Sequence, residues 1–141
     1  MSLRYSARCL CGSITLTATL PTRSVHACHC SICRTWGGGP ALCIDAEELE
    51  VVGETLAVYP SSDWAERGFC QRCGTHLFYR LKDGGMVNIP VGLFKDLQQL
   101  DFDSEIFVDH QPEYYQFSDE QFAGKRQRLT EAEVLAQFES G

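Results

Sequence analysis

Seven of the eight cysteines fall into three tight groups: Cys9 and Cys11 as C-x-C, Cys28, Cys30 and Cys33 as C-x-C-x-x-C, and Cys70 and Cys73 as C-x-x-C. Zinc takes thiolate sulfurs at about 2.3 Å in a tetrahedron, and cysteines one or two residues apart offer both sulfurs to one ion with little further loss of chain entropy. Cys9, Cys11, Cys70 and Cys73 therefore suffice for a closed four-sulfur structural site that clasps the start of the chain to its middle. Cys28, Cys30 and Cys33 leave a tetrahedral metal one ligand short, and an open position is where zinc does chemistry. The eighth, Cys43, lies between Leu42 and Ile44 and reads as a small buried apolar residue.

Three readings of the central triplet stand side by side: an open catalytic zinc, a second structural zinc completed by His26 or His76, and a set of redox thiols. On an extended strand Cys28 and Cys30 share a face and His29 turns away, which makes it a poor ligand. Three anionic ligands soften a zinc ion, so an open site of this kind favours a soft fourth partner such as a substrate thiolate over hydroxide. That points to carbon–sulfur bond chemistry.

At 141 residues the chain is long enough for one domain, 1–141, with a real hydrophobic core, so metal supplements the core. The first residues carry no apolar core or cleavage pattern of a secretory signal, and no apolar run approaches the roughly 18 residues of a membrane span. The expectation is a cytoplasmic protein without membrane partners, whose clustered cysteines are metal ligands rather than disulfides. The formal charge is −7, with 12 Lys and Arg against 19 Asp and Glu. Seven bound thiolates and two zinc ions would take it to about −10. Such a surface does not suit nucleic acid, which demands a basic face. Partners are thus expected among small molecules, and a homo-oligomer is compatible with the sequence.

Alternation dominates the first half. In Ser13–Thr19 the apolar Ile14, Leu16 and Ala18 share one face. Further strand-like runs are 24–28, 41–44, 49–52, 55–59, 75–81, 86–91 and 105–109, separated by Gly, Pro, Ser and Asp. The pattern predicts a mainly β, antiparallel domain of short strands. Residues 45–49 and 94–100 are each read as a turn or two of helix. Thr130-Glu131-Ala132-Glu133 has the capping-box form and leads into Val134, Leu135 and Phe138, which predicts a C-terminal helix after a polar connection over 118–128.

The ordered set Cys9-Leu10-Cys11-Gly12-Ser13-Ile14, then Cys28-His29-Cys30-Ser31-Ile32-Cys33, then Arg67-Gly68-Phe69-Cys70-Gln71-Arg72-Cys73-Gly74-Thr75, resembles the glutathione-dependent formaldehyde-activating family, from about Tyr5 to Phe117. Residues 118–141 read as a C-terminal extension. The resemblance implies a β-tent fold with few short helices, a structural zinc at Cys9, Cys11, Cys70 and Cys73, and a catalytic zinc at Cys28, Cys30 and Cys33. It also implies carbon–sulfur lyase activity on a glutathione adduct, of the S-hydroxymethylglutathione synthase type. The competing readings are a non-catalytic zinc-stabilised binding or metallochaperone-like module and a thiol redox switch.

Glutathione carries two carboxylates, and an acidic protein needs placed cations to receive them. Arg34, directly after the triplet, and Arg67, three residues before Cys70, are the candidates. Trp36, followed by Gly37-Gly38-Gly39, is a candidate wall or lid where backbone can approach a ligand. Asp109 and His110 are either an acid–base pair or a turn.

Overall fold

The computed structural model describes residues 3–118 and 126–140. Along the chain run β1 (Leu3–Arg8), β2 (Thr15–Leu20), β3 (Ser24–Cys28), α1 (Ser31–Gly37), β4 (Ala41–Val52), β5 (Leu56–Tyr59), β6 (Ala65–Cys70), β7 (His76–Leu81), β8 (Val87–Pro90), β9 (Asp101–Ile106), β10 (Gln127–Leu129) and α2 (Glu131–Ser140), with single 3-10 turns at Val91–Leu93 and Val108–His110. This is a mainly β fold with few short helices and a C-terminal helix, as expected. No helix among the described residues is long and apolar enough to cross a membrane.

The backbone forms two compact units. One comprises Met1–Arg23 and Ile44–Gln99, the other Ser24–Cys43 and Leu100–Gly141; β4 begins in the second and continues in the first. In the first unit β1 and β2 form an antiparallel hairpin, Leu3 opposite Leu20 through Arg8 opposite Thr15. β2 pairs antiparallel with β4, and its register slips between Thr17 and Thr19. β5, β6, β7 and β8 follow as an antiparallel meander. Ile14, Leu16 and Ala18 are fully buried, which is the alternation read from sequence, and Ile44, Leu77 and Ile89 join them in the core.

Residues 45–49 are not helical. Residues 41–44 and 49–52 belong to a single strand, and Glu48, at φ 51°, marks a local irregularity within it. Residues 94–100 likewise form bends rather than helix. Strand β6 was not expected. Its sequence, AERGFC, alternates poorly because a close approach interrupts it: a Cβ on Gly68 would fall 2.3 Å from the Phe78 ring on β7.

In the second unit the pairing departs from the antiparallel expectation. β3 lies parallel to β9, from Ser24 opposite Asp101 to Cys28 opposite Ile106, and β10 lies parallel to β9. β9 also begins four residues earlier than the sequence suggested, since Asp101 and Asp103 mask its period. Parallel partners come from distant parts of the chain, and a local pattern does not record them. Helix α2 starts as predicted. Thr130 Oγ1 accepts from the Glu133 amide at 3.3 Å, and Glu133 Oε1 accepts from the Thr130 amide at 3.1 Å. Of the connection expected before it, residues 119–125 lie outside the described residues.

Candidate metal centres

Four of the cysteines meet in the first unit. Cys9 and Cys11 lie just beyond a strand. β1 ends at Arg8, and Cys9–Gly12 forms a turn in which the Gly12 amide donates to the Cys9 carbonyl at 3.0 Å, with Gly12 at φ 80°. Cys70 closes β6, and a matching turn follows it: Gly74, at φ 79°, donates to the Cys70 carbonyl at 2.8 Å. Glycine accepts this left-handed backbone where a Cβ would strain it. The two turns bring the sulfurs of Cys9, Cys11, Cys70 and Cys73 within 4.8 Å of one another. Cys9 and Cys11 are 3.6 Å apart, and Cys11 and Cys70 3.8 Å. A sulfur tetrahedron with arms of about 2.3 Å has edges of about 3.8 Å, so the donor set fits zinc in both chemistry and size.

Three hydroxyls surround this group, and the cysteine spacing gave no sign of them. Ser13 Oγ lies 3.0 Å from Cys11 Sγ, Thr55 Oγ1 3.3 Å from Cys70 Sγ, and Thr75 Oγ1 3.2 Å from Cys73 Sγ. Ser13 and Thr55 also bond each other at 2.7 Å, and Thr75 takes the Leu10 amide at 3.0 Å. Hydroxyls and amides that point at a sulfur favour its thiolate. Burial opposes ionisation at Cys70, yet the Ser13 and Thr55 hydroxyls, with the Cys73 and Arg72 amides, bring it down to about 5. The Thr75 hydroxyl and amide bring Cys73 to about 7.

The triplet assembles in the second unit, where the sulfurs of Cys28, Cys30 and Cys33 also lie within 4.8 Å of one another. Cys28 ends β3. Cys30 leaves the strand and becomes the N-cap of α1, its sulfur accepting from the Cys33 amide at 3.3 Å. The short helix was missed in the sequence because a cysteine stands where serine or aspartate usually signals a cap. Its first turn lifts Cys33 back toward Cys28 and Cys30. Hydrogen bonds from the Cys28 and Cys33 thiols, with the Cys33 and Ile32 amides, hold Cys30 far below the usual thiol range. Cys28, donating to that thiolate and buried, is pushed far up. Cys28 is buried while Cys30 and Cys33 are half-buried. Among the described residues of the second unit no histidine completes the set: His26 stands outside this spacing, and His29 is otherwise engaged.

His29, a poor ligand on the spacing argument, has both ring nitrogens engaged elsewhere. It is fully buried, with Nε2 2.8 Å from Glu105 Oε1 and Nδ1 2.6 Å from the Tyr115 hydroxyl. Its amide donates to the Ile106 carbonyl at 3.1 Å, which ties the triplet loop to β9. Glu105, only 2% exposed, also receives Arg126 at 3.2 Å and Arg128 at 3.5 Å. No local sequence pattern reveals this chain, because its members lie 76 and 86 residues from His29.

The remaining candidates separate by position. Arg34 sits half-buried on α1, donating from Nε to the His29 carbonyl at 3.0 Å. Trp36 is half-buried two residues on, and Gly38, at φ 83°, ends the helix by donating to the Arg34 carbonyl at 2.7 Å. Arg67 belongs to the first unit, 5% exposed, with Nε 3.2 Å from Ser61 Oγ and its guanidinium 4.9 Å from the centre of the Tyr79 ring. His76 opens β7, half-buried, and burial together with Arg67 lowers its pKa. Cys43 is buried, as its apolar neighbours suggested. Asp109 and His110 serve the start of α2: Asp109 Oδ1 accepts from the Glu131 amide at 2.9 Å, and His110 Nε2 lies 2.8 Å from Glu131 Oε2.

Comparison with known proteins agrees with this layout. An uncharacterized lyase of Schizosaccharomyces pombe is 34% identical over 134 residues, covering 93% of this chain and 94% of that protein. A putative glutathione-dependent formaldehyde-activating enzyme of Podospora anserina is 37% identical over 84 residues; the match takes in 53% of this chain and only 38% of the fungal protein. A Rhodobacter sphaeroides protein of known crystal structure superposes with a TM-score of 0.54 at 23% identity, covering 66% of this chain and 90% of its own, a likeness of fold. The sequence profile described as glutathione-dependent formaldehyde-activating enzyme matches residues 4–110, a span that includes all seven clustered cysteines, and the chain belongs to that family.

Proposed function

We propose that the protein is a zinc-dependent carbon–sulfur lyase that makes or breaks the adduct of glutathione, or a similar small thiol, with formaldehyde. The observation that carries this reading is the triplet: three sulfurs gathered within 4.8 Å, two of them half-buried, with no fourth ligand among the described residues of their unit. The family and the names of its relatives supply the reaction class. The profile runs through both units, which supports reading the chain as one family domain. The two sulfur groups support a reading of two zinc ions per chain, one closed by Cys9, Cys11, Cys70 and Cys73 and one open at Cys28, Cys30 and Cys33.

Zinc at the triplet would supply a position that stabilises a thiolate sulfur against protonation. The protein's own groups do the rest. Cys30, already favoured as thiolate by the Cys28 and Cys33 thiols and then by the α1 amides, gives the triplet its anionic character before any metal arrives. Arg34 on the short helix α1 reaches back to the carbonyl of His29, the residue between Cys28 and Cys30, so a ligand whose sulfur approaches the triplet meets a guanidinium held against the triplet loop. Arg34 spends Nε on the His29 carbonyl, which fixes the plane of the fork and leaves its terminal nitrogens to receive a carboxylate. Trp36, on the same helix, provides a wall for the ligand's apolar stem. Of the two arginines only Arg34 is assigned this role, since the buried Arg67 is engaged with Ser61 and Tyr79.

The test is zinc per chain in reduced, freshly purified protein, repeated for Cys30→Ala and during chelator competition with glutathione added. Two zincs are expected, one of them lost in Cys30→Ala and held more tightly when glutathione is present. One zinc per chain, indifferent to both changes, would leave a zinc-clasped binding module and end the catalytic reading.

A further inference from the structure

Buried polar chains are costly unless every member is satisfied, and among the described residues the chain through His29 is satisfied at every position but its outer end. Glu105 is held by two guanidiniums, Arg126 and Arg128, and receives His29 Nε2. His29 in turn fixes the Tyr115 hydroxyl at 2.6 Å and stacks on its ring at 5.5 Å between centroids. Phe117 packs edge-on against the Tyr115 ring at 6.1 Å, and the Gln111 side-chain amide donates to the Tyr115 carbonyl at 2.8 Å. The phenol is thereby fixed in backbone, ring and oxygen, although the residue is only half-buried. Its electrostatic neighbours include Arg34 and Cys28, a proposed substrate cation and a triplet sulfur, together with Tyr114 and Glu105.

A packing role needs only one hydrogen bond to close the His29 nitrogen. A phenolic oxygen has a second hydrogen-bonding position, which His29 does not use. From this juxtaposition, and resting on the carbon–sulfur lyase reading, we infer that the Tyr115 hydroxyl is the contact for the oxygen of the thiol adduct and selects hydroxymethyl over plain alkyl thioethers. His29 and Glu105 are its positioning residues.

The chemistry suits a hydroxyl. In the forward direction the carbon–sulfur bond forms, the carbonyl π pair moves onto oxygen, and that oxygen takes up the proton the thiol has lost to solvent. In reverse the hydroxyl gives its proton back to solvent, the carbonyl forms again and the carbon–sulfur pair returns to sulfur. The reacting oxygen alternates between carbonyl acceptor and hydroxyl, and a phenol can serve both without net gain or loss of a proton.

The experiment is calorimetric titration of zinc-loaded wild type and Tyr115→Phe with three probes: glutathione, S-ethylglutathione, and glutathione equilibrated with formaldehyde to give the S-hydroxymethyl adduct. S-ethyl replaces the adduct's hydroxyl by a methyl group. Wild type is expected to bind the hydroxymethyl adduct about three- to tenfold more tightly than the S-ethyl compound, the range of one net hydrogen bond. Tyr115→Phe should bind the two alike while keeping its zinc and its affinity for glutathione. A preference that survives in Tyr115→Phe overturns the assignment of Tyr115 alone, and so does loss of zinc or of glutathione binding in that variant, which would mark Tyr115 as a packing residue. If wild type binds none of the three, the glutathione reading falls and takes this inference with it.

Discussion

The chemistry of a cysteine in this protein is set by what points at its sulfur. Cys9, Cys11, Cys70 and Cys73 share a site, yet Cys70 and Cys73 are brought to about 5 and about 7 by hydroxyl and amide donors. Both are lowered from an unfolded value of 9.0, so each contributes stability that is present above 9.0 and fades as the pH falls through its folded value. The consequence shows in metal uptake, because only protonated ligands release protons when zinc binds. At pH 8 Cys70 and Cys73 should contribute few of the protons released, so this site should release fewer protons per zinc than the same four thiols would in the unfolded chain. Calorimetry of zinc binding to Cys30→Ala, repeated in buffers of different ionisation enthalpy, counts them. Ser13→Ala combined with Thr55→Val removes two donors from Cys70; it should raise the proton count and weaken zinc by about 10- to 100-fold.

Among the elements, those with a local cause were legible and those with a distant one were not. The alternation of Ile14, Leu16 and Ala18 located β2, and Thr130 with Glu133 located the start of α2, because periodicity and capping act within a few residues. β9 and β10 were misjudged because their partners are parallel and remote, and β6 was missed because Gly68 breaks its alternation. The site followed the same rule. Cysteine spacing identified the metal-ligand candidates, whereas the hydroxyls of Ser13, Thr55 and Thr75 and the His29–Glu105 contact depend on the fold bringing separate strands together. Gly68 also supplies the test at this scale. The ring of Phe78 fills the space its side chain would need, both residues are buried, and a methyl group there forces β6 away from β7 two residues before Cys70. Gly68→Ala should cost about 1–3 kcal/mol in denaturant unfolding, with zinc affinity at the four-cysteine site falling alongside. Phe78→Leu in the same chain should restore part of both, since it relieves the clash.

Across the whole molecule the two sulfur groups differ in what they have to lose. In the four-cysteine group Cys9 and Cys70 are buried and both turns are closed by backbone hydrogen bonds, so its zinc is expected to leave only when the turns open. The triplet has Cys28 buried, Cys30 and Cys33 half-buried and no fourth protein ligand among the described residues of its unit, so a chelator is expected to take the open position before any backbone moves. Its loop has other anchors, the His29 amide on Ile106 and the buried Glu105 contact, and should keep its conformation without metal. Metal removal is therefore predicted in two steps. Under an excess of a zinc chelator the first equivalent should leave quickly, with far-ultraviolet circular dichroism and thermal midpoint nearly unchanged. The second should leave slowly, at a rate that hardly depends on chelator concentration because opening limits it, and with a drop in the thermal midpoint, since structural zinc binding of about 10 kcal/mol or more is coupled to folding. Stopped-flow release with a chromogenic chelator, followed by melting of the one-zinc and zinc-free species, separates these steps. A single phase in which both zincs and the thermal midpoint fall together would mean that the triplet, like the outer cysteines, is a folding site rather than an exchangeable one.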